Sequence, residues 1–144
     1  MACLYYYLVK YKNESGDCVK NIATSILLDK VSSKLGFNCH EVDVGFKNIS
    51  SKMKKVNALM GGESSGGLTI RNYLFGKDST FSSLLFIEMV IIMNKKVSEI
   101  VKEVKAFSDY NYIFFEDYSC YDNKIDIYNM LTNNIPCFNK SLLK

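Results

Sequence analysis

The sequence is short of several residue types that mark particular chemistries. It holds one histidine, His40, and one arginine, Arg71. A single imidazole argues against a zinc site, which is commonly built from histidine and cysteine together. The net charge of +3 is carried almost wholly by lysine. Nucleic-acid binding usually shows a denser basic stripe, so the balance argues against that partner. The five cysteines, Cys3, Cys18, Cys39, Cys120 and Cys137, are odd in number and contain no C-x-x-C pair. Both facts favour reduced thiols in a cytoplasmic protein over a disulfide framework. The opening, Met1 to Val9, lacks the basic start of a signal peptide and resembles a chain that begins within a helix. No apolar run is long enough to cross a membrane. The longest, Leu84 to Met93, carries Glu88 and is expected to be a core helix.

Catalytic constellations are also missing. His40 falls in the middle of an expected strand with no serine, cysteine or aspartate patterned around it as a triad. Glu41 and Asp43 share one strand face, but two carboxylates do not make a divalent-metal cage. The sequence therefore offers no catalytic residue and no metal ligand set of its own.

What is present is a globular composition, 48% hydrophobic and 23% charged, over 144 residues. One domain is the simplest organisation. Residues 2–12 are expected to form a helix, with Leu4, Tyr7 and Leu8 on one face; Tyr5, Tyr6 and Tyr7 suit a core or an interface. Cys18 to Ala23 suits a strand. A helix follows, capped by Thr24 or Ser25, striped by Ile26, Leu27, Val31 and Leu35, and ended by Gly36. Residues 38–44 alternate as a half-buried strand. Residues 46–55 form a short helix with Phe46, Ile49 and Met53 inward. Val56 to Met60 leads into Gly61-Gly62-Glu63-Ser64-Ser65-Gly66-Gly67, and Leu68 to Ile70 leads out. Asp78 or Ser79 caps a long helix to Phe107, with a break expected near Asn94. Beyond it, Tyr110 to Phe115 suits a strand, Ile125 to Leu131 a short helix, and the tail from Asn133 is expected to be mobile.

Strands separated by helices imply parallel crossovers with helices on both faces. The last two strands, joined by a glycine loop, should pair antiparallel. The expected fold is a three-layer α/β/α domain with a mixed four-stranded sheet. Ligands in open α/β sheets collect at the loops beyond the strand ends.

Three motifs stand out. The glycine loop holds out one carboxylate, Glu63, and two hydroxyls, a polar tip suited to a ligand rich in hydroxyl groups. Its alternative is an unligated hairpin with a solvated glutamate. Gly76-Lys77-Asp78-Ser79 lacks the glycine of a phosphate loop five residues earlier, where Arg71 stands; it is expected to be a helix cap whose lysine could serve a hydroxyl or phosphate. Val44-Gly45-Phe46-Lys47 is a strand-to-helix turn. Gly45 is there for backbone freedom or to line a site with its amide.

Val44 to Ile49, Gly61 to Ile70 and Gly76 to Ser79, in this order and spacing, resemble the third domain of the α-D-phosphohexomutases, the phosphoglucomutase/phosphomannomutase family. The helix carrying Leu84, Leu85 and Glu88 also fits. The resemblance covers residues 1–108. Residues 109–144 resemble an extension toward a fourth domain. It implies that Glu63 and Ser65 grip sugar hydroxyls, that Lys77 faces the sugar, and that Gly45 borders the site. The implied ligand is a hexose phosphate, glucose or mannose phosphate, and the implied partners are the other domains of the same enzyme. Mg²⁺ and a phosphoserine are expected in the full-length enzyme. This chain has no Asp-x-Asp-x-Asp run and no Ser-His-Asn-Pro stretch, its only proline being Pro136. Alone it is expected to be inactive, or else a binding or assembly module that keeps the fold without the sugar. Many members carry a histidine where Gly67 stands, a second acid where Ser64 stands, and a glycine where Ser79 stands.

Overall fold

Four short strands set the frame. In the computed structural model, which describes residues 1–111 together with Ile125, Asp126 and Asn129, they form one mixed sheet in the order β2-β1-β3-β4. The elements are α1 (Ala2–Lys10), β1 (Cys18–Asn21), α2 (Leu27–Lys34), β2 (Cys39–Val42), α3 (Phe46–Val56), β3 (Met60–Gly62), β4 (Leu68–Ile70), α4 (Ser79–Met93) and α5 (Val97–Phe107). β1 pairs in parallel with both β2 and β3, while β3 and β4 are antiparallel. This is the α/β/α domain expected from the element order. The chain divides into two units, Met1–Tyr112 and Ile113–Lys144. In the second, Ile125, Asp126 and Asn129 are helical. The remainder of the expected strand to Phe115, of the helix to Leu131 and the tail from Asn133 lie outside the described residues.

The path explains the layers. From β1 the chain steps to one neighbour, β2, then crosses back to the other, β3. With right-handed crossovers the two connecting helices must lie on opposite faces. Accordingly α3 covers one face through a small core of Val19, Ile49, Met53 and Ala58. On the other, α1, α2, α4 and α5 share a larger core with Cys18, Met60 and Leu68. Alternation along β1 sends Cys18 and Val19 into different cores.

α1 sits inside the larger core, so the three tyrosines are core residues. All three are buried. The Tyr5 hydroxyl donates to the Gly16 carbonyl at 2.7 Å and that of Tyr6 to Glu103 Oε1 at 3.2 Å, so burying those two rings does not strand their polar ends, whereas the buried Tyr7 hydroxyl has no hydrogen-bond partner among the described residues. In α3 the expected stripe is present: Ile49 and Met53 are buried and Phe46 packs beside them. Burying side chains of this size stabilises by about 1.5–3 kcal/mol each. The predicted break falls at Asn94, which adopts a left-handed conformation between α4 and α5.

Some details differ. The helical phase of α2 begins at Leu27, one residue after Ile26, so Ile26 is exposed and Leu28 takes the buried place. The N-cap is Ile26 and carries no side-chain cap, so neither Thr24 nor Ser25 takes the expected place; the Ser25 hydroxyl instead accepts from the Leu27 amide at 3.1 Å, one residue before the cap. Val56 closes α3 instead of opening a strand, and Asn57 turns the chain with φ 51°. Leu84 to Met93 is not a wholly buried helix. Leu85, Met89 and Met93 are buried, whereas Leu84, Ile87 and Ile91 are more than half exposed. His40 leans on Asp17, its Nε2 lying 2.8 Å from Asp17 Oδ2.

Candidate functional site

The glycine loop is shorter than its sequence suggests. Gly61 and Gly62 belong to β3 and pair with Thr69 and Leu68. The Glu63 amide donates to the Gly67 carbonyl at 2.9 Å and the Gly66 amide donates back to the Glu63 carbonyl at 3.1 Å. Ser64, Ser65 and Gly66 are therefore the tip of a three-residue hairpin. Its last position has φ +94°, the conformation such hairpins require and glycine supplies.

The strand glycines serve packing. A Cβ on Gly61 would lie 2.4 Å from Met53 Sδ and 2.7 Å from Ile49 Cγ2. The sheet and α3 touch here, backbone against side chain. On the same face, just past the strand end, comes Glu63.

Glu63 is not held out into solvent. It is 7% exposed and folded against its neighbours, contrary to the sequence expectation of a projecting acid. Lys77 Nζ lies 2.7 Å from Glu63 Oε2. Asn21 Nδ2 donates to Glu63 Oε1 over 3.4 Å. The Gly45 amide also hydrogen-bonds the carboxylate. A buried carboxylate without partners would take up a proton, and these donors are what prevent it. The hydrogen bond and charge of Lys77 hold the Glu63 carboxyl below its ordinary value, against burial that pushes it up; the Gly45 and Asn21 donors act in the same direction as Lys77.

Each donor is placed by its element. Gly45 is the N-cap of α3 with φ 125°, a conformation that side chains rarely adopt, and this exposes its amide at the helix start. Lys77 directly precedes α4. The next residue, Asp78, caps that helix by accepting from the Phe81 amide at 3.0 Å, and its other oxygen accepts from the Tyr73 hydroxyl at 2.6 Å. The Tyr73 and Phe81 rings stack with centroids 4.0 Å apart. This clasp fixes where the lysine begins. Its stem then crosses Gly67, where a Cβ would meet Lys77 Cδ and Cε at 2.8 Å. Its ammonium lies 5.5 Å from the centroid of the Phe46 ring.

Of the residues singled out from the sequence, Glu63, Lys77 and Gly45 come together. Ser65 stands at the exposed hairpin tip and takes no part in the contacts around the Glu63 carboxylate. Sequence reasoning missed Asn21. Nothing local marks it, because its partner lies on a strand reached only after two crossovers. The one available signal was a polar residue ending the buried strand Cys18-Val19-Lys20-Asn21. Among the described residues, no group of three or more His, Cys, Asp or Glu side chains comes together that could hold a metal ion.

The cluster lies at the carboxyl ends of β1 and β3, where the chain has left β1 toward one side and returned on the other. That is the switch point at which open α/β sheets bind ligands. Fold and site together define an α/β/α domain with a buried polar cluster at the carboxyl ends of its two central strands. The family described as phosphoglucomutase/phosphomannomutase, alpha/beta/alpha domain III, matches residues 1–107. The chain belongs to that family. It is 31% identical over 105 residues to the phosphoglucosamine mutase of Campylobacter hominis, covering 69% of this chain and 24% of that one. It is 28% identical over 96 residues to a phosphoglucomutase/phosphomannomutase of Thermococcus kodakarensis, covering 67% and 21%. Among solved structures it resembles a Thermus thermophilus protein assigned as a phosphomannomutase, with a TM-score of 0.68, 35% identity and coverage of 75% of this chain and 25% of that chain. The chain thus spans about a quarter of the length of these relatives.

Proposed function

We propose that this chain is the sugar-recognition domain of an enzyme that interconverts hexose 1-phosphate and hexose 6-phosphate. Residues 1–108 form the domain, and 109–144 lead toward a further one. Glu63 and Ser65 grip ring hydroxyls, Lys77 stands beside them, and the Gly45 turn borders the site. The observation that carries this reading is the Glu63 carboxylate, kept ionised by Lys77 at the switch-point crevice with a serine tip two residues on. A carboxylate has about four acceptor directions, so one ammonium and two amides leave room for a sugar hydroxyl. The relatives' names extend the ligand class from glucose and mannose phosphates to glucosamine phosphates.

The domain contributes orientation, which is a large part of phosphoryl-transfer catalysis. The phosphoserine that gives and regains the phosphoryl group belongs to other domains of the enzyme. So does the Mg²⁺ expected of the full-length enzyme. On this reading the chain alone is inactive, and the enzyme works in the cytoplasm. No helix among the described residues is long and apolar enough to cross a membrane.

Titrating the chain with glucose 1-phosphate and glucosamine 6-phosphate while following backbone amides by NMR tests the proposal. Shifts confined to residues 63–67, 45 and 77, and lost in Glu63→Ala, are expected. A second reading, an assembly module that has kept the fold and lost the sugar, draws on the exposed apolar side of α4 at Leu84, Ile87 and Ile91. No response to millimolar hexose phosphate would favour it.

A further inference from the structure

We infer that Asn21 is the positioning residue for the Glu63 carboxylate, and that Thr24 holds the far end of the Asn21 amide. The inference rests on the sugar-recognition reading above and adds two residues to it.

β1 and β3 pair in parallel with Cys18 level with Met60, Val19 with Gly61 and Lys20 with Gly62. Continuing the register by one residue sets Asn21 level with Glu63. Alternation turns both toward the α3 face, where Val19 and Gly61 already lie against Ile49 and Met53. Asn21 is 2% exposed, so its amide must find partners inside the protein. Its Nδ2 donates to Glu63 Oε1 at 3.4 Å, and its Oδ1 accepts from the Thr24 hydroxyl at 2.7 Å.

The two ends of an asparagine amide are interchangeable by a flip, and the acceptor-only Glu63 carboxylate chooses between them by taking the NH₂. The Thr24 hydroxyl, able to donate or accept, then donates to Oδ1 at the far end, so every contact is donor to acceptor. Thr24 is held in reach by a turn, its own amide donating to the Asn21 carbonyl at 3.0 Å. The relay Thr24–Asn21–Glu63 thus runs from the turn after β1, through the last residue of that strand, to the residue just past β3.

Its effect on binding follows from geometry. Lys77 holds Oε2 from the end of a long, half-exposed side chain. Asn21 holds Oε1 from a buried strand. The strand contact therefore fixes the plane of the carboxylate, and with it the directions left open for hydroxyls. A sugar that draws Lys77 aside would still find Glu63 in place.

The test uses the full chain and the probe glucose 1-phosphate, with four proteins: wild type, Asn21→Ala, Glu63→Gln and the double variant. Thr24→Val is a fifth, milder change. In Asn21→Ala the Glu63 carboxyl, followed by side-chain carbon NMR, should titrate at higher pH. Binding of the probe should weaken about 3- to 10-fold, the loss expected of one ordinary net hydrogen bond. Thr24→Val should move both in the same direction by less. In the Glu63→Gln background the further loss on adding Asn21→Ala should disappear. Losses that multiply in the double variant, or an unchanged Glu63 titration in a folded Asn21→Ala chain, would overturn the inference. Should Asn21→Ala not fold, Thr24→Val decides by the same titration. If Glu63→Gln binds the probe as well as wild type, the sugar reading itself falls. The Glu63 titration still reports whether Asn21 holds that carboxylate.

Discussion

Replacing Gly61 by alanine should destabilise the protein from a position that touches no ligand. The added methyl carbon would start 2.4 Å from Met53 Sδ, 2.9 Å from Met53 Cγ and 2.7 Å from Ile49 Cγ2. Carbon atoms rest about 3.5–4.0 Å apart, so the overlap exceeds an ångström at the sulfur. Neither neighbour has an exit, since Ile49 is 0% and Met53 1% exposed. Overpacking of this kind costs about 1–3 kcal/mol. Gly61 does not have positive φ, so alanine also narrows the unfolded chain and returns about 0.4–1 kcal/mol. The net loss is about 1–2 kcal/mol, a fall in Tm of roughly 4–8 °C for a unit of this size. Urea unfolding followed by circular dichroism measures it. Met53→Ala should itself cost about 2–5 kcal/mol through the cavity it leaves. In the double variant the new methyl partly fills that space, so the two costs should sum to less than their parts. A Gly61→Ala chain as stable as wild type, or strictly additive costs, would show that the sheet and α3 do not meet as described.

Two further outcomes follow from the Glu63 cluster. The folded-state pKa of Glu63 is depressed, chiefly by Lys77. Its contribution to stability is therefore present above the ordinary glutamate range and is lost as pH falls through the folded value. Lys77→Met should lower the urea midpoint at neutral pH more than in acid, and the gap between the two chains should close on acidification. Gly67→Ala should cost little in packing, because the atoms it meets belong to the flexible stem of a half-exposed lysine. By shifting that lysine it should raise the Glu63 titration midpoint, read by carbon NMR, and lose at neutral pH part of the stability that Lys77→Met loses.

Local pattern carried most of the fold. The stripe of Phe46, Ile49 and Met53 has one helical phase and faces one core. The polarity change at Asn94 coincides with the left-handed residue that separates α4 from α5. Where readings shifted, tertiary contacts decided. Gly61 and Gly62 look like loop in sequence, but glycine is needed in the strand because α3 comes close to Gly61, and Met1, Gly67 and Leu68 close in on Gly62. Val56 has a strand former's side chain, yet it ends a helix because Asn57 makes the turn. The buried side of α4 could not be read from periodicity, since apolar residues surround the helix. At the site, Glu63, Lys77 and Gly45 were visible as motif residues. Their mutual pairing and the burial of the acid were not, because both depend on how far apart β3, α3 and the start of α4 lie in space. Asn21 was hidden for the same reason, its role set by strand register.

The space above residue 67 holds one tenant. The lysine stem occupies it now, and any side chain grown from that backbone position evicts the lysine from the carboxylate below. Residues 67 and 77 are thus a single choice written at two places in the chain. A library that varied either alone would sample mostly quarrels between them. One that varied both together would explore the alternative ways of furnishing this pocket.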